Sequence, residues 1–230
     1  RFGCMLGLLS LFITATMNVD AKEIELKQIV DGTFNAKGMG SITPTADGIH
    51  YLTANDDYSR ILMRSFKDKN YEEVVLDLAT VRGNNGIKSF DDYILSPKED
   101  RILIKTNSTK IFRRSSTADY YIFTIKNNML EPLSNGGPQQ EPKFSPDGNV
   151  IGFVREGNIF LVKLLFNNSE SQITKDGKKN SISNGVPDWA YEEEFSFTSA
   201  FDFSADSKMV AYIKFNENGV NRFDMPFFQT

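Results

Sequence analysis

Residues 183–197 read Ser-Asn-Gly-Val-Pro-Asp-Trp-Ala-Tyr-Glu-Glu-Glu-Phe-Ser-Phe, placing three adjacent carboxylates in an aromatic tract. Pro187 ends any preceding strand, and Asp188 is a suitable N-cap for one or two turns of helix. Three glutamates in a first helical turn would complement the helix dipole and stay in water. Two adjacent carboxylates can also converge on one cation. Their mutual repulsion is relieved by a bound ammonium, which forms charge-assisted hydrogen bonds. A hydrolase built on an imidazole base has only His50 to use, since the chain holds one histidine. His50 falls on a predicted strand in Asp-Gly-Ile-His-Tyr and reads as a structural or surface residue. No Gly-x-Ser-x-Gly nucleophile elbow occurs.

The elements that must position these residues are strands. With 230 residues, 40% hydrophobic and 12% aromatic, the chain has the apolar material for a packed core. A net charge of −4 argues against nucleic acid, which favours a clustered basic face. Residues 1–21 read as a secretory signal peptide: Arg1, an apolar run from Leu6 to Phe12, and a Val19-Asp20-Ala21 cleavage pattern. The run is shorter than the roughly 20 residues that span a bilayer. Cys4, the single cysteine, lies inside this leader, so the mature chain from residue 22 owes nothing to disulfides. Two glycosylation sequons, at Asn107 and Asn167, read as ordinary loop residues.

A turn rich in Pro, Asp and Gly recurs, each time before a short β-branched or aromatic run. It appears as Thr43-Pro44-Thr45-Ala46-Asp47-Gly48, Ser96-Pro97-Lys98-Glu99-Asp100, Phe144-Ser145-Pro146-Asp147-Gly148 and Phe203-Ser204-Ala205-Asp206. Tight turns and short strands at this period predict an all-β β-propeller of four-stranded blades. A β-sandwich would leave the recurring turn unexplained. Val150–Val154 and Ile159–Leu164 read as one hairpin, and Arg101–Lys105 with Tyr120–Ile125 as another with a longer excursion between its strands. Four units fit between about residue 40 and the C-terminus, the last of them incomplete, so residues 22–230 are expected to form a partial ring.

The acidic tract resembles a segment of the dipeptidyl peptidase IV family of prolyl oligopeptidase-type serine peptidases. The family pattern is Asp-Trp-Val-Tyr-Glu-Glu-Glu, and Asp188–Glu194 departs from it only at Ala190. A second likeness covers Lys110-Ile111-Phe112-Arg113-Arg114-Ser115-Ser116-Thr117-Ala118. The resemblance implies that a short helix inserted into a blade holds the substrate's free α-amine through Glu193 and Glu194, with Glu192 outside the pair. It implies that Arg113 contacts the substrate backbone carbonyls.

An amine fixed in this way works as a ruler. The scissile bond would sit two residues along, so cleavage would release dipeptides, X-Pro or X-Ala, with tripeptide release as a sister activity. The catalytic Ser, Asp and His of the family belong to a C-terminal α/β-hydrolase domain, which this sequence does not reach, so the fragment alone is expected to be inert. The implied partners are peptides with a free N-terminus and that hydrolase domain of the same polypeptide, with a homodimer left open. No cofactor or metal is implied, and the expected location is the periplasm, cell surface or medium of a bacterium. The alternative is a Tol-associated kind of periplasmic propeller that docks proteins without catalysis, a role that gives no reason for the Asp188–Glu194 run.

Overall fold

The computed structural model describes residues 23–36 and 40–221, so the expected leader at 1–21 lies outside the described residues. The chain divides into two compact units between residues 39 and 40. The first contains a single-turn helix, α1 (Leu26–Val30), entered where the Glu25 N–H donates to Gln28 Oε1 at 3.1 Å.

The second unit is built from short antiparallel strands. Strands β1 (Ile42–Pro44), β2 (His50–Ala54), β3 (Arg60–Ser65) and β4 (Glu72–Asp77) form a four-stranded meander in chain order. The next two meanders are β5 (Asp92–Leu95), β6 (Arg101–Lys110), β7 (Ser116–Thr124), β8 (Met129–Pro132), and β9 (Gln140–Phe144), β10 (Val150–Arg155), β11 (Asn158–Lys163), β12 (Ser169–Gln172). A fourth sheet region is interrupted. Here β13 (Ile182–Asn184) pairs with β16 (Lys214–Asn216), β14 (Phe201–Phe203) pairs with β15 (Val210–Tyr212), and helix α2 (Trp189–Phe195) is inserted between β13 and β14. The architecture is an all-β partial propeller of four-stranded blades with a short inserted helix.

Strand periodicity explains how the blades stack. Successive side chains point to opposite faces, so a strand buried on both sides reads as a continuous apolar run. On β6, Ile102 and Ile104 pack with Leu52, Ile61 and Leu76 of the first blade. Between them Leu103 points the other way, into a cluster with Ile151, Phe153 and Phe160 of the third blade. Further along β10, Val154 joins Ile159, Val186 and Phe201 against the fourth sheet. Gly152 makes that last contact close, since a Cβ there would meet the Phe201 ring at 2.9 Å and Phe203 at 3.1 Å.

The recurring turns are built alike. In the first, third and fourth, the hydroxyl donates to the Asp two residues on: Thr45 to Asp47 at 2.7 Å, Ser145 to Asp147 at 2.6 Å, Ser204 to Asp206 at 2.7 Å. The second turn uses Ser96 and Asp100 at 3.0 Å. Three residues after each hydroxyl the backbone is left-handed, at Gly48, Glu99, Gly148 and Ser207. Glycine adopts that conformation freely, and the two other residues reach back to the preceding turn. Glu99 Oε1 accepts from the Ala46 N–H at 2.5 Å, and Ser207 Oγ accepts from the Asp147 N–H at 3.0 Å. Neighbouring blades are therefore linked turn to turn.

The β6–β7 hairpin is longer than the sequence suggests. The excursion expected between Lys105 and Tyr120 is itself paired, out to Lys110 opposite Ser116. A register shift between Thr106 and Thr109 interrupts it, with Asn107 left-handed (φ 52°) and its Nδ2 donating to Asp119 Oδ2 at 3.0 Å. Past the shift the hairpin carries its tip, Ile111 to Ser115, away from the blade core, with residues 110–114 exposed.

Candidate functional site

Helix α2 begins as the sequence dictates. Asp188 caps it, accepting from the Tyr191 N–H at 2.9 Å, and left-handed Ser196 (φ 60°) ends it after seven residues. The Tyr191 ring rests against Phe215 and Phe195, with centroids 5.1 and 5.4 Å away. Only Glu192 lies in the first turn. Glu193 and Glu194 occupy the second, close to the C-terminal end, where the helix dipole disfavours negative charge. The picture of three solvated glutamates in the first turn therefore does not hold for this helix.

Glu192 is 1% exposed. Its Oε1 accepts from the Arg114 N–H at 2.7 Å and the Ser115 N–H at 2.9 Å, on the tip of the β6–β7 hairpin. Burial raises its pKa, but the hydrogen bonds from the Ser115 and Arg114 amides outweigh burial and hold the carboxyl below its usual value. A depressed folded-state pKa means that this tether stabilises fully above the ordinary carboxylate range. It is lost only as pH falls through the lowered value.

The same hairpin tip brings Arg113 to Glu193, with Nε 3.4 Å from Oε1. The Glu193 side chain is 21% exposed and that of Arg113 is 72% exposed. An ion pair this open contributes at most about 1 kcal/mol, which makes it a poor account of stability. Glu194, the next residue along, is exposed and forms no ion pair among the described residues. Two of the three residues singled out in the sequence thus meet across different blades, and the third adjoins them on the same helix. The arrangement offers carboxylates to a cation and a guanidinium to an adjacent carbonyl or carboxylate.

His50 is placed elsewhere in the fold's logic. It opens β2 with Nδ1 2.5 Å from Asp47 Oδ2 and its ring 4.9 Å from that of Tyr71. The His50 contact and the turn amides hold Asp47 far below the usual carboxylate range. Glu192 is the residue whose place the sequence did not reveal. Three identical side chains in a row carry no mark of which one turns inward.

The partial propeller thus carries an acidic helix inserted in its fourth sheet region, facing an arginine from a second-blade hairpin. A family model described as "Dipeptidyl peptidase IV (DPP IV) N-terminal region" matches residues 96–230, more than half of the chain. The chain belongs to that family. It is 34% identical to the dipeptidyl peptidase 4 of Porphyromonas gingivalis, whose crystal structure superposes with a TM-score of 0.84 over 90% of this chain and 30% of that one. Among curated relatives it is 35% identical over 192 residues to the dipeptidyl peptidase 4 of Trichophyton rubrum. It is 33% identical over 193 residues to the probable dipeptidyl peptidase 4 of Aspergillus fumigatus. It spans about a quarter of the length of those two relatives, while each match covers 82% of the chain.

Proposed function

We propose that this chain is the substrate-gating propeller portion of an exported serine dipeptidyl peptidase that releases N-terminal dipeptides, X-Pro or X-Ala. Glu193 and Glu194 take the substrate's α-ammonium, and Arg113 takes its backbone carbonyl. The observation that carries this reading is the approach of Arg113 to within 3.4 Å of Glu193, beside an exposed Glu194 that forms no ion pair among the described residues. A free peptide N-terminus presents a cation with a carbonyl close by, and the site offers the complement of both. Fixing the amine sets how much chain reaches the scissile position, so specificity comes from pose and not from altered chemistry. No Gly-x-Ser-x-Gly sequence occurs in these 230 residues, so under this proposal they supply the recognition and not the nucleophile. Export rests on the leader read at 1–21. N-terminal sequencing of the mature enzyme should begin at Lys22, and retention of Leu6–Thr16 would contradict it.

The arginine can be tested alone. In the full-length enzyme, Arg113→Ala should lower kcat/KM for Gly-Pro-p-nitroanilide by roughly tenfold or more, the scale of a hydrogen bond to a charged group. The demand for a free amine should survive, because the carboxylates remain. Unchanged turnover by Arg113→Ala would remove the carbonyl contact from this account.

A further inference from the structure

Two clamps that act on one ligand must be held at a fixed spacing, and here they come from segments distant in the chain, Arg114 and Ser115 lying 78 and 77 residues before Glu192. We infer that Glu192 is the positioning residue that sets this spacing, by pinning the Arg113 hairpin tip to helix α2. The inference rests on the functional reading above for its consequence, but the tether itself can be observed separately.

Three observations support it. The first is adjacency on both sides: Glu192 directly precedes Glu193, and the two amides it holds, of Arg114 and Ser115, directly follow Arg113. The second is burial. Glu192 is 1% exposed on an otherwise largely exposed helix, with Trp189 59% and Phe195 66% exposed. A carboxylate out of water needs partners, and two successive backbone N–H groups on one oxygen are a strong pairing. The third is that the tip has little else to hold it. Its own closure is the Ile111 N–H donating to the Ser115 carbonyl at 3.0 Å, and Ile111 and Phe112 are 41% and 37% exposed. Among the described residues, the hydrogen bonds joining residues 111–115 to α2 are the two that Glu192 accepts. Arg113 meets Glu193 through its flexible, exposed side chain, whereas Glu192 grips backbone. It is the backbone grip that fixes where the guanidinium starts from.

Glu192 is not placed against substrate, so its effect must pass through Arg113. Both amides are taken by Oε1, an atom that glutamine also presents in the same position. Aspartate is one methylene too short to reach from the same helix.

The test uses the full-length enzyme with Glu192→Ala, Glu192→Gln, Glu192→Asp, Arg113→Ala and the Glu192→Ala/Arg113→Ala double variant. Steady-state kinetics on Gly-Pro-p-nitroanilide are measured with amide hydrogen exchange at Arg114 and Ser115. Glu192→Ala should expose the two amides to exchange and lower kcat/KM by about 10- to 100-fold, mainly through KM, as expected for a displaced positioning group. Glu192→Gln should restore both readouts to near the parent values, and Glu192→Asp should not. The double variant should be no worse than Arg113→Ala, because the two changes remove one contact. Should Glu192→Ala fail to fold, the contrast between Gln and Asp carries the same test. Unaltered exchange in Glu192→Ala, Gln as damaging as Ala, or effects of Glu192→Ala and Arg113→Ala that multiply would overturn the inference. A tether intact by exchange with Arg113→Ala kinetically silent would instead overturn the functional reading of the site.

Discussion

Glu193→Gln and Glu194→Gln should each lower kcat/KM for Gly-Pro-p-nitroanilide by about 10- to 100-fold in the full-length enzyme, since under the proposed amine recognition each would remove a charge-assisted hydrogen bond of roughly 1.5–3 kcal/mol. Glutamine keeps the volume and one acceptor oxygen, so the loss reports charge and not shape. The two positions should differ in detail. Glu194 is exposed and free of ion pairs among the described residues, and its replacement should act on the substrate alone. Glu193 also faces Arg113 at 3.4 Å, so its replacement additionally frees the guanidinium to wander. Glu192→Gln should do little, because its neutral oxygen can still accept from the Arg114 and Ser115 amides. Steady-state kinetics across the three glutamates decide the matter. Equal and mild effects at all three would mean that the acidic run is only a charged helix surface.

Phe153→Ala should cost about 3–5 kcal/mol of stability, the range for emptying an aromatic site in a core. Phe153 is fully buried on β10, in the cluster shared by the second and third blades. Its ring lies parallel to that of Phe160 at 5.4 Å, and the Arg155 guanidinium covers both rings, 5.5 Å from Phe153 and 4.0 Å from Phe160. Truncation removes the stacking partner and leaves a cavity that these neighbours cannot collapse to fill. Phe166→Ala is the control, because that ring is 69% exposed and has little burial to lose. The check is urea unfolding followed by hydrogen exchange in β6, β7, β10 and β11. A midpoint for Phe153→Ala matching that of Phe166→Ala would contradict this description of the interblade core.

The blade architecture was legible because its signals are local. A hydroxyl, an Asp two residues later and a left-handed position after it make a turn wherever they occur, and Ser145-Pro146-Asp147-Gly148 has all three. Val150–Val154 announces a strand buried on both faces, and Asp188 announces a helix. What escaped depends on distant partners. Thr106-Asn107-Ser108-Thr109 reads as a polar loop, yet it continues the hairpin because Asp91 and Asp119 bind its irregular backbone and side chains. The pairing of β13 with β16, across the inserted helix and two strands, has no signature in either segment. Of the site, the residue types were plain and the division of labour was not. Glu192 turns inward because two amides of another blade await it, and nothing in Glu-Glu-Glu records that.

If Glu193 and Glu194 recognise a free α-ammonium, as proposed, their charge should matter only to substrates that carry one. The parent full-length enzyme and the Glu193→Gln/Glu194→Gln double variant are each assayed on Gly-Pro-p-nitroanilide and on its analogue bearing a hydroxyl in place of the α-amine. The parent should prefer the amine strongly, by at least about tenfold in kcat/KM, and the double variant should lose most of that preference. A preference for the amine that is undiminished in the double variant would show that the ammonium is held elsewhere.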